Sequence, residues 1–358
     1  LDWKKNTQKQ VSLCYKKLNM SKKNSSVNHK KDLKYSKAIN KVYLSFKKKL
    51  DKLKKRSFLV AVSGGPDSLA LVTLSKIYSL EQKVRFYYVL VNHNIRKNSL
   101  KEAREVQYLL KQKKLNLVIL NNKKKINKNI QSNARKVRYE LLSDYCSKKK
   151  VRNIITAHNL EDQVETFLIR LSRGSGLKGL SSMKLVTKIE NNLILIRPLL
   201  DIKKKLLIKI SNLTFGKYIK DPSNKDKKFL RTKIRNLQTP LKKSGINYDQ
   251  IIKSINNLAS SDKILDKYFN EKFSKVLMKS TKSVTIKLNK FLELEKEFKI
   301  RVINNAIKEL RNNYYNPRSK KVKLLIENLE KKNFSRATLG GCIFSKEKDK
   351  ISLKIEKK

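Results

Sequence analysis

An apolar run, Phe58-Leu59-Val60-Ala61-Val62, ends directly in Ser63-Gly64-Gly65-Pro66-Asp67-Ser68. That junction constrains the fold more than any other stretch of the chain. It predicts a buried strand, a tight turn and the start of a helix. Two glycines let the backbone approach a ligand closely, and the helix that follows aims its free amide hydrogens and positive dipole end at the same point. Ser63 and Ser68 add hydroxyl donors, while Pro66 suits a first helical turn, where its missing N–H costs nothing. An anion is the natural occupant, and pyrophosphate fits best. No Gly-Lys-Ser/Thr follows, which excludes a Walker P-loop, and the third glycine of the dinucleotide fingerprint is missing. An ordinary Gly-Pro turn is the plain alternative, and the strand-like run before it argues against that.

Beyond the turn, residues 69–77 read as a helix apolar on more than one face, and residues 84–91 as a strand. Ser99-Leu100-Lys101-Glu102 has the form of a capping box opening a helix to about Lys114. A strand over 115–120, a helix over 131–149, a strand over 153–157 and a helix from Glu161 continue the alternation. Such alternation predicts an α/β fold: a parallel sheet with helices on both faces and ligands beyond the carboxyl ends of its strands. The polar clusters at 63–68, 92–96 and 158–162 all fall at such ends, which favours one shared site. Past about Leu241 lysine-rich helical stretches take over, at 251–277 and 291–312, followed by a Gly-Gly segment with strand-like flanks. The expected organisation is a loose basic extension over 1–40, a nucleotide-binding catalytic domain over 41–240 and a smaller, mainly helical, basic domain over 241–358.

A chain of 358 residues is long enough for two domains. Its three cysteines, Cys14, Cys146 and Cys342, lie far apart, which gives neither a disulfide framework nor a zinc site and points to a reducing, cytoplasmic setting. Neither a membrane span nor a secretory leader is expected from the apolar pattern. The formal net charge is +58, enough to attract any polyanion. Nucleic acid is the leading partner class. The excess is nevertheless spread over the whole chain, with abundant Asn and Ile, as an AT-rich coding sequence would also produce, so charge alone does not identify RNA.

Further chemistry gathers in Ala157-His158-Asn159-Leu160-Glu161-Asp162-Gln163-Val164-Glu165-Thr166. Helical spacing would bring His158 near Asp162 and Asp162 near Glu165. Carboxylates there could hold Mg²⁺ against nucleotide phosphates or polarise a nucleophile; a capped helix with an acidic first turn is the plain reading. Arg173-Gly174-Ser175-Gly176 suits a flap that closes on a phosphate, and Arg135 and Arg138 could grip phosphates in a forked geometry.

The glycine turn resembles the loop of the ATP pyrophosphatases, and the ordered series of segments resembles one branch of them, the tRNA(Ile)-lysidine synthases. The series runs through Asn92-His93-Asn94-Ile95-Arg96, Ala134-Arg135 with Arg138-Tyr139, His158 with Asp162-Gln163 and Glu165-Thr166, and Arg173-Gly174-Ser175-Gly176. It continues through Arg197-Pro198-Leu199, Asp221-Pro222-Ser223-Asn224 with Arg231 and Arg235, and Thr338-Leu339-Gly340-Gly341-Cys342. Two segments depart from the family's common pattern: Asn92 and Ile95 stand where it has the Asp and Leu of Val-Asp-His-x-Leu-Arg, and Asn159 and Glu161 where it has the second His and first Asp of Ala-His-His-x-Asp-Asp-Gln.

The resemblance implies an adenine nucleotide α-hydrolase-like fold and a ligase using ATP and Mg²⁺. Its partners would be free L-lysine and isoleucine tRNA with a CAU anticodon; neither a protein partner nor a membrane is expected. ATP would adenylylate O2 of the wobble cytidine, and the lysine ε-amine would then attack C2 and expel AMP, changing codon reading from AUG to AUA. Ser63, Gly64, Gly65, Pro66, Asp67, Ser68, Arg173 and Gly174 would bind the nucleotide, with Asp67 and Asp162 on the metal. Asp67, Asp162, Arg138 and His158 would be catalytic, Asp162 being the first choice for the base and Arg138 offsetting charge on the α-phosphate. A tRNA-thiolating or other adenylylating enzyme of the superfamily is the nearest alternative, although thiolation generally needs well-placed cysteines. Small-molecule amide synthetases and a non-catalytic RNA-binding protein are more distant ones.

Overall fold

The structure is a computed structural model that describes residues 29–358 apart from 97, 125, 127–129, 190–191, 220–229, 281–282, 312–316, 332 and 357–358. The chain divides into two compact units. The first comprises residues up to 166 with 183–187 and 191–248, and the second comprises 167–182, 188–190 and 249–358.

The first unit opens with α1 (His29–Leu53), β1 (Ser57–Val62), α2 (Pro66–Glu81), β2 (Arg85–Asn92), α3 (Ser99–Lys111), β3 (Leu117–Asn121), α4 (Ile130–Lys148) and β4 (Asn153–Ile155). Helix α5 (Leu160–Leu171) runs from the first unit into the second, which also holds the short α6 (Leu177–Leu180); the first unit resumes with β5 (Val186–Lys188), β6 (Ile194–Ile196), α7 (Lys204–Phe215), α8 (Leu230–Asn236) and α9 (Gln238–Lys243). The strands form one sheet in the order β3-β2-β1-β4-β6-β5, parallel along the run from β3 to β6. Strand order reverses direction between β1 and β4. In an open parallel sheet the ligand crevice lies at that reversal, outside the carboxyl ends of the strands. The turn at 63–68 and the segment at 156–162 leave the sheet there.

Local chemistry explains this layout. β1 is buried along most of its length, as a strand covered on both faces must be, so it reads as a continuous apolar run. In α2 the residues Leu69, Ala70, Leu71, Val72, Leu74 and Ile77 are all fully buried, the pattern of a helix enclosed on all sides. Two local expectations change. Residues from His29 onward form α1, which places Ile39, Val42, Tyr43, Phe46 and Leu50 in the core at helical spacing; the interspersed lysines hid that stripe, and the loose extension expected over 1–40 gives way to helix over its later part. Residues 1–28 lie outside the described residues. The capping box at Ser99 is also not formed: Asn98 is the N-cap without a side-chain bond, and Glu102 accepts from Arg96 Nη2 at 2.9 Å instead.

The second unit is built on α10 (Tyr248–Val276), β7 (Leu277–Lys279), β8 (Ser283–Lys287), α11 (Leu288–Leu292), α12 (Lys296–Arg311), α13 (Ser319–Glu330), β9 (Arg336–Leu339), β10 (Cys342–Glu347) and β11 (Lys350–Ile355). Its sheet has the order β7-β8-β11-β10-β9 and is antiparallel. Helices and sheet share a core of Phe269, Val284, Ile286, Phe291, Val302, Ile303, Phe344 and Leu353. The Gly-Gly segment is the turn between β9 and β10. Among the described residues no helix is long and apolar enough to cross a membrane.

Candidate active site

β1 delivers the chain to Ser63, and Gly64 turns it with φ +79°, a backbone region that favours glycine. A Cβ at Gly64 would also run into Val106 Cγ2 and lie 3.4 Å from Ile219, so both glycine properties are needed at this one position. Gly65 caps α2 in extended geometry with Pro66 in the first turn. The hydroxyls staple the loop internally. Ser68 Oγ donates to Gly65 O at 2.9 Å and accepts the Ser63 N–H at 3.2 Å, while the two hydroxyl oxygens lie 3.2 Å apart. Ser68 is buried; its visible work is to hold the loop's shape, which leaves the start of α2 to face a ligand.

Asp67 sits in the first turn of α2. Its Oδ2 lies 3.6 Å from Lys204 Nζ, and its Oδ1 is buried with no hydrogen-bond partner among the described residues. Burial raises its pKa to about 6, against the pull of Lys204 and with the help of repulsion from Asp162. Lys204 opens α7, and its backbone N–H donates to Glu161 Oε2 at 2.9 Å. Glu161 thereby seats the helix whose first side chain meets Asp67. Sequence reading assigned Lys204 nothing. Its neighbours in sequence are also lysines, so no local signal distinguished it.

The start of α5 is a reciprocal cap: Asn159 N–H donates to Asp162 Oδ2 and Asp162 N–H donates to Asn159 Oδ1, each at 3.0 Å. Such an Asn-x-x-Asp exchange satisfies two helix-end donors, which gives Asn159 a structural role that its spacing could have signalled. Asp162 Oδ1 accepts from Arg231 Nη2 at 2.9 Å, so both oxygens of Asp162 are occupied. Glu165, almost wholly buried, accepts from Arg231 Nε and Arg235 Nε at 2.6 Å each. Asp162 and Glu165 thus converge on one arginine pair from α8. His158 precedes α5, and its Nδ1 lies 2.8 Å from Thr156 Oγ1 instead of meeting Asp162. Burial first, then Arg197, Arg231, Arg135 and Arg138, lowers its pKa to about 3, which keeps the ring neutral at pH 7.

On the other side of β1, Asn92 Nδ2 donates to Asn94 Oδ1 at 2.7 Å and to Asn121 Oδ1 at 3.0 Å, and its Oδ1 accepts the Asn94 N–H. The amide present in place of a carboxylate therefore shapes the 92–96 loop. Arg138 Nη2 reaches within 3.4 Å of His93 Nε2; burial, with Arg138 beside it, lowers His93 to about 4. The Arg135 guanidinium lies over the Tyr139 ring, 5.0 Å from its centroid, so it is stacked on its own helix. Arg173 and Gly174 belong to the second unit. There Arg170 Nη1 ties the glycine-rich loop by donating to Gly179 O at 2.6 Å and Ser182 O at 3.0 Å. Asp221-Pro222-Ser223-Asn224 lies outside the described residues.

The donor set can be tested against Mg²⁺, which is commonly held by one or two carboxylates together with substrate phosphates. Among the described residues no three His, Cys, Asp or Glu side chains group as a metal cage. Asp67 still offers a buried oxygen without a partner, which fits the carboxylate-plus-phosphate mode. A cavity of about 810 Å³ opens at the opposite, amino-terminal edge of the strands, lined by Arg56, Lys83, Arg85 and Lys114 among others, and is separate from this cluster.

Comparison with known proteins follows the same lines. A PP-loop domain family matches residues 36–241. A tRNA(Ile)-lysidine synthase of Wolbachia pipientis wMel is 34% identical over 288 residues, covering 79% of this chain and 67% of that protein. The tRNA(Ile)-lysidine synthase of Orientia tsutsugamushi is 43% identical over 179 residues, 50% of this chain and 40% of its own length. Among solved structures, the U34-tRNA thiolase NcsA from Methanococcus maripaludis superposes with a TM-score of 0.52 at 19% identity, covering 62% of this chain and 80% of that one. That last likeness is one of fold.

Proposed function

The chain belongs to the tRNA(Ile)-lysidine synthase family of PP-loop proteins, and on that premise we propose that it joins lysine to C2 of the wobble cytidine of an isoleucine tRNA with a CAU anticodon, at the expense of ATP. The observation that carries the reading is Asp67: a half-buried carboxylate at the head of α2, one oxygen of which is buried with no hydrogen-bond partner among the described residues, inside a loop whose glycines admit a phosphate chain.

In the first step the cytidine O2 attacks the α-phosphorus and pyrophosphate leaves. Gly64, Gly65 and the opening amides of α2 receive the departing phosphates, with Ser63 and Ser68 fixing the loop around them. Asp67 would hold Mg²⁺, which when bound neutralises phosphate charge, and Asp162, engaged by Asn159 and Arg231, would stand beside it. Arg138 offsets charge at the α-phosphate, and His158, neutral beside Thr156, orients rather than charges the site.

In the second step the lysine ε-amine attacks C2, and the C2–O2 bond breaks to release AMP. The amine must first shed a proton, which costs roughly 4–5 kcal/mol at pH 7 from a pKa near 10.4. Asp67 is the stronger choice to accept it once pyrophosphate has gone, because both oxygens of Asp162 are already engaged by Asn159 and Arg231. Asp162 is then a positioning residue. The thiolation alternative is disfavoured by the thiols: Cys146 and Cys342 are buried, and burial pushes Cys146 up to about 12, which suppresses the thiolate a sulfur carrier needs. Cys14 lies outside the described residues.

The decisive assay mixes the protein with ATP, Mg²⁺, labelled lysine and either a CAU- or a GAU-anticodon isoleucine tRNA. Label entering only the CAU transcript, with AMP and pyrophosphate released, is the expected outcome. Label entering both tRNAs equally, or orthophosphate as the nucleotide product, defeats it.

A further inference from the structure

The motif Thr338-Leu339-Gly340-Gly341-Cys342 has no part in the reaction above, yet its geometry is specific. Both glycines of the β9–β10 turn have left-handed backbones, φ +63° at Gly340 and +71° at Gly341. A Cβ on Gly340 would meet Pro317 Cγ at 3.1 Å and Ile307 Cγ2 at 3.3 Å. A Cβ on Gly341 would run into the Arg311 guanidinium. Arg311, the last residue of α12, lies across the bare turn and its Nη1 donates to Gly340 O at 2.8 Å. The side chain is nonetheless exposed. One donor of the fork is spent on the turn, and no other hydrogen bond or ion pair engages the guanidinium among the described residues. Two more exposed cations flank it, Lys308 one turn earlier on α12 and Arg318 beside Pro317.

We infer that the Gly-Gly turn is a seat that presents the Arg311 fork to a phosphodiester of bound RNA. A guanidinium pre-ordered by one backbone bond loses less freedom when its other donors engage a phosphate. A helix-capping arginine would not need a second glycine beneath it. The inference rests on tRNA being the substrate, and it assigns to this turn one phosphate contact that positions the RNA without reading its sequence.

The test measures binding of CAU-anticodon isoleucine tRNA to the full chain across a salt series, by filter retention, with lysidine formation assayed in parallel. Arg311→Gln should weaken binding about five- to tenfold and lower the slope of log affinity against log salt by about one phosphate's worth. Gly341→Ala, which pushes the guanidinium off its seat, should do the same, and the double variant should be no weaker than either alone. Arg311→Lys should recover the slope but only part of the affinity. If Arg311→Gln lowers the melting temperature and leaves the salt slope unchanged, or if the two single effects add, the arginine merely braces the turn and the inference is wrong. Wild-type protein that binds tRNA steeply with salt but forms no lysidine would instead overturn the proposed reaction and leave this contact standing.

Discussion

The two units each bury charge, and they do so in opposite ways. In the second unit Arg301 is 1% exposed, and all three edges of its guanidinium are matched: Nη2 to Asp262 at 2.8 Å, Nη1 to Asp266 and Nε to Glu297 at 3.1 Å. In the first unit Asp67 has one cation at 3.6 Å and an oxygen with no hydrogen-bond partner among the described residues. The Arg301 guanidinium thus has a carboxylate on every edge, whereas the Asp67 carboxylate, half-buried at the glycine turn, has a single distant counter-charge. A cation matched on every edge ties elements of a fold together, whereas a carboxylate with a raised pKa at a cleft is the kind of group that functional sites use.

That contrast can be broken most directly at Asp67. Asp67→Asn keeps the shape and removes the charge, and lysidine formation should fall about 10⁴-fold, since both a phosphate-side ligand and a proton acceptor are lost. Stability should move the other way. Because the folded-state pKa is raised to about 6, the native state holds a proton more tightly than the unfolded chain. The stabilisation is therefore present at low pH and lost as pH rises through 6, so the ionised group costs stability at pH 7. The asparagine variant should melt at or above the wild-type temperature in a pH 7 scan. A variant that is both inactive and clearly less stable would mean Asp67 is structural.

Arg301→Met is the complementary experiment. Removing the shared cation strands the fully buried Asp262 and deprives Asp266 and Glu297 of their partner, and a loss of about 3–5 kcal/mol is expected. Urea titration reads it directly. The adenylylation chemistry, measured as pyrophosphate release below the transition, should persist. If the methionine variant unfolds at the wild-type urea concentration, the cluster is not a strut and the comparison fails.

How far these features could be read in advance depended on whether their signals were local. The turn at 63–68 was legible because glycine, proline and a preceding apolar run each impose a backbone state on their own. The alternation of α2, β2, α3 and β3 was legible for the same reason. Lys204 and Arg301 were not, because each is one cation among 87 Lys and Arg, and only the folded chain distinguishes the one that reaches a carboxylate. Asp162 and Glu165 were found as carboxylates at a helix start, but their occupation by Arg231 and Arg235 comes from a distant helix that no periodicity forecasts. The stripe of α1 was present and was masked by the lysines between its members.

A smaller effect sharpens what the glycine turn contributes. Gly64→Ala must shift Val106 and adopt a left-handed backbone, at a cost of about 1–3 kcal/mol. The strain falls on the loop rather than on Asp67, so the KM for ATP in pyrophosphate exchange should rise about tenfold while the lysine dependence stays put. A rise confined to lysine would place the turn in the second step and not the first.

The smallest effect concerns His158, whose folded-state pKa of about 3 lies well below the ordinary 6.5. Between those values the unfolded chain binds the proton and the native chain does not, so stability rises with pH across the window and is lost as pH falls from 6.5 toward 3. Asp67 acts in the opposite sense over part of that range, so the wild-type profile is a sum and cannot be read alone. The difference between wild type and His158→Asn isolates the imidazole: the variant should lose less stability than wild type between pH 7 and pH 5 in paired urea titrations, while His93, lowered to about 4 by burial and Arg138, leaves a residual slope in both. Parallel profiles would show that His158 takes a proton in the folded state, and the ring would then stand with Asp67 as a second unmatched group at the site instead of a neutral neighbour to it.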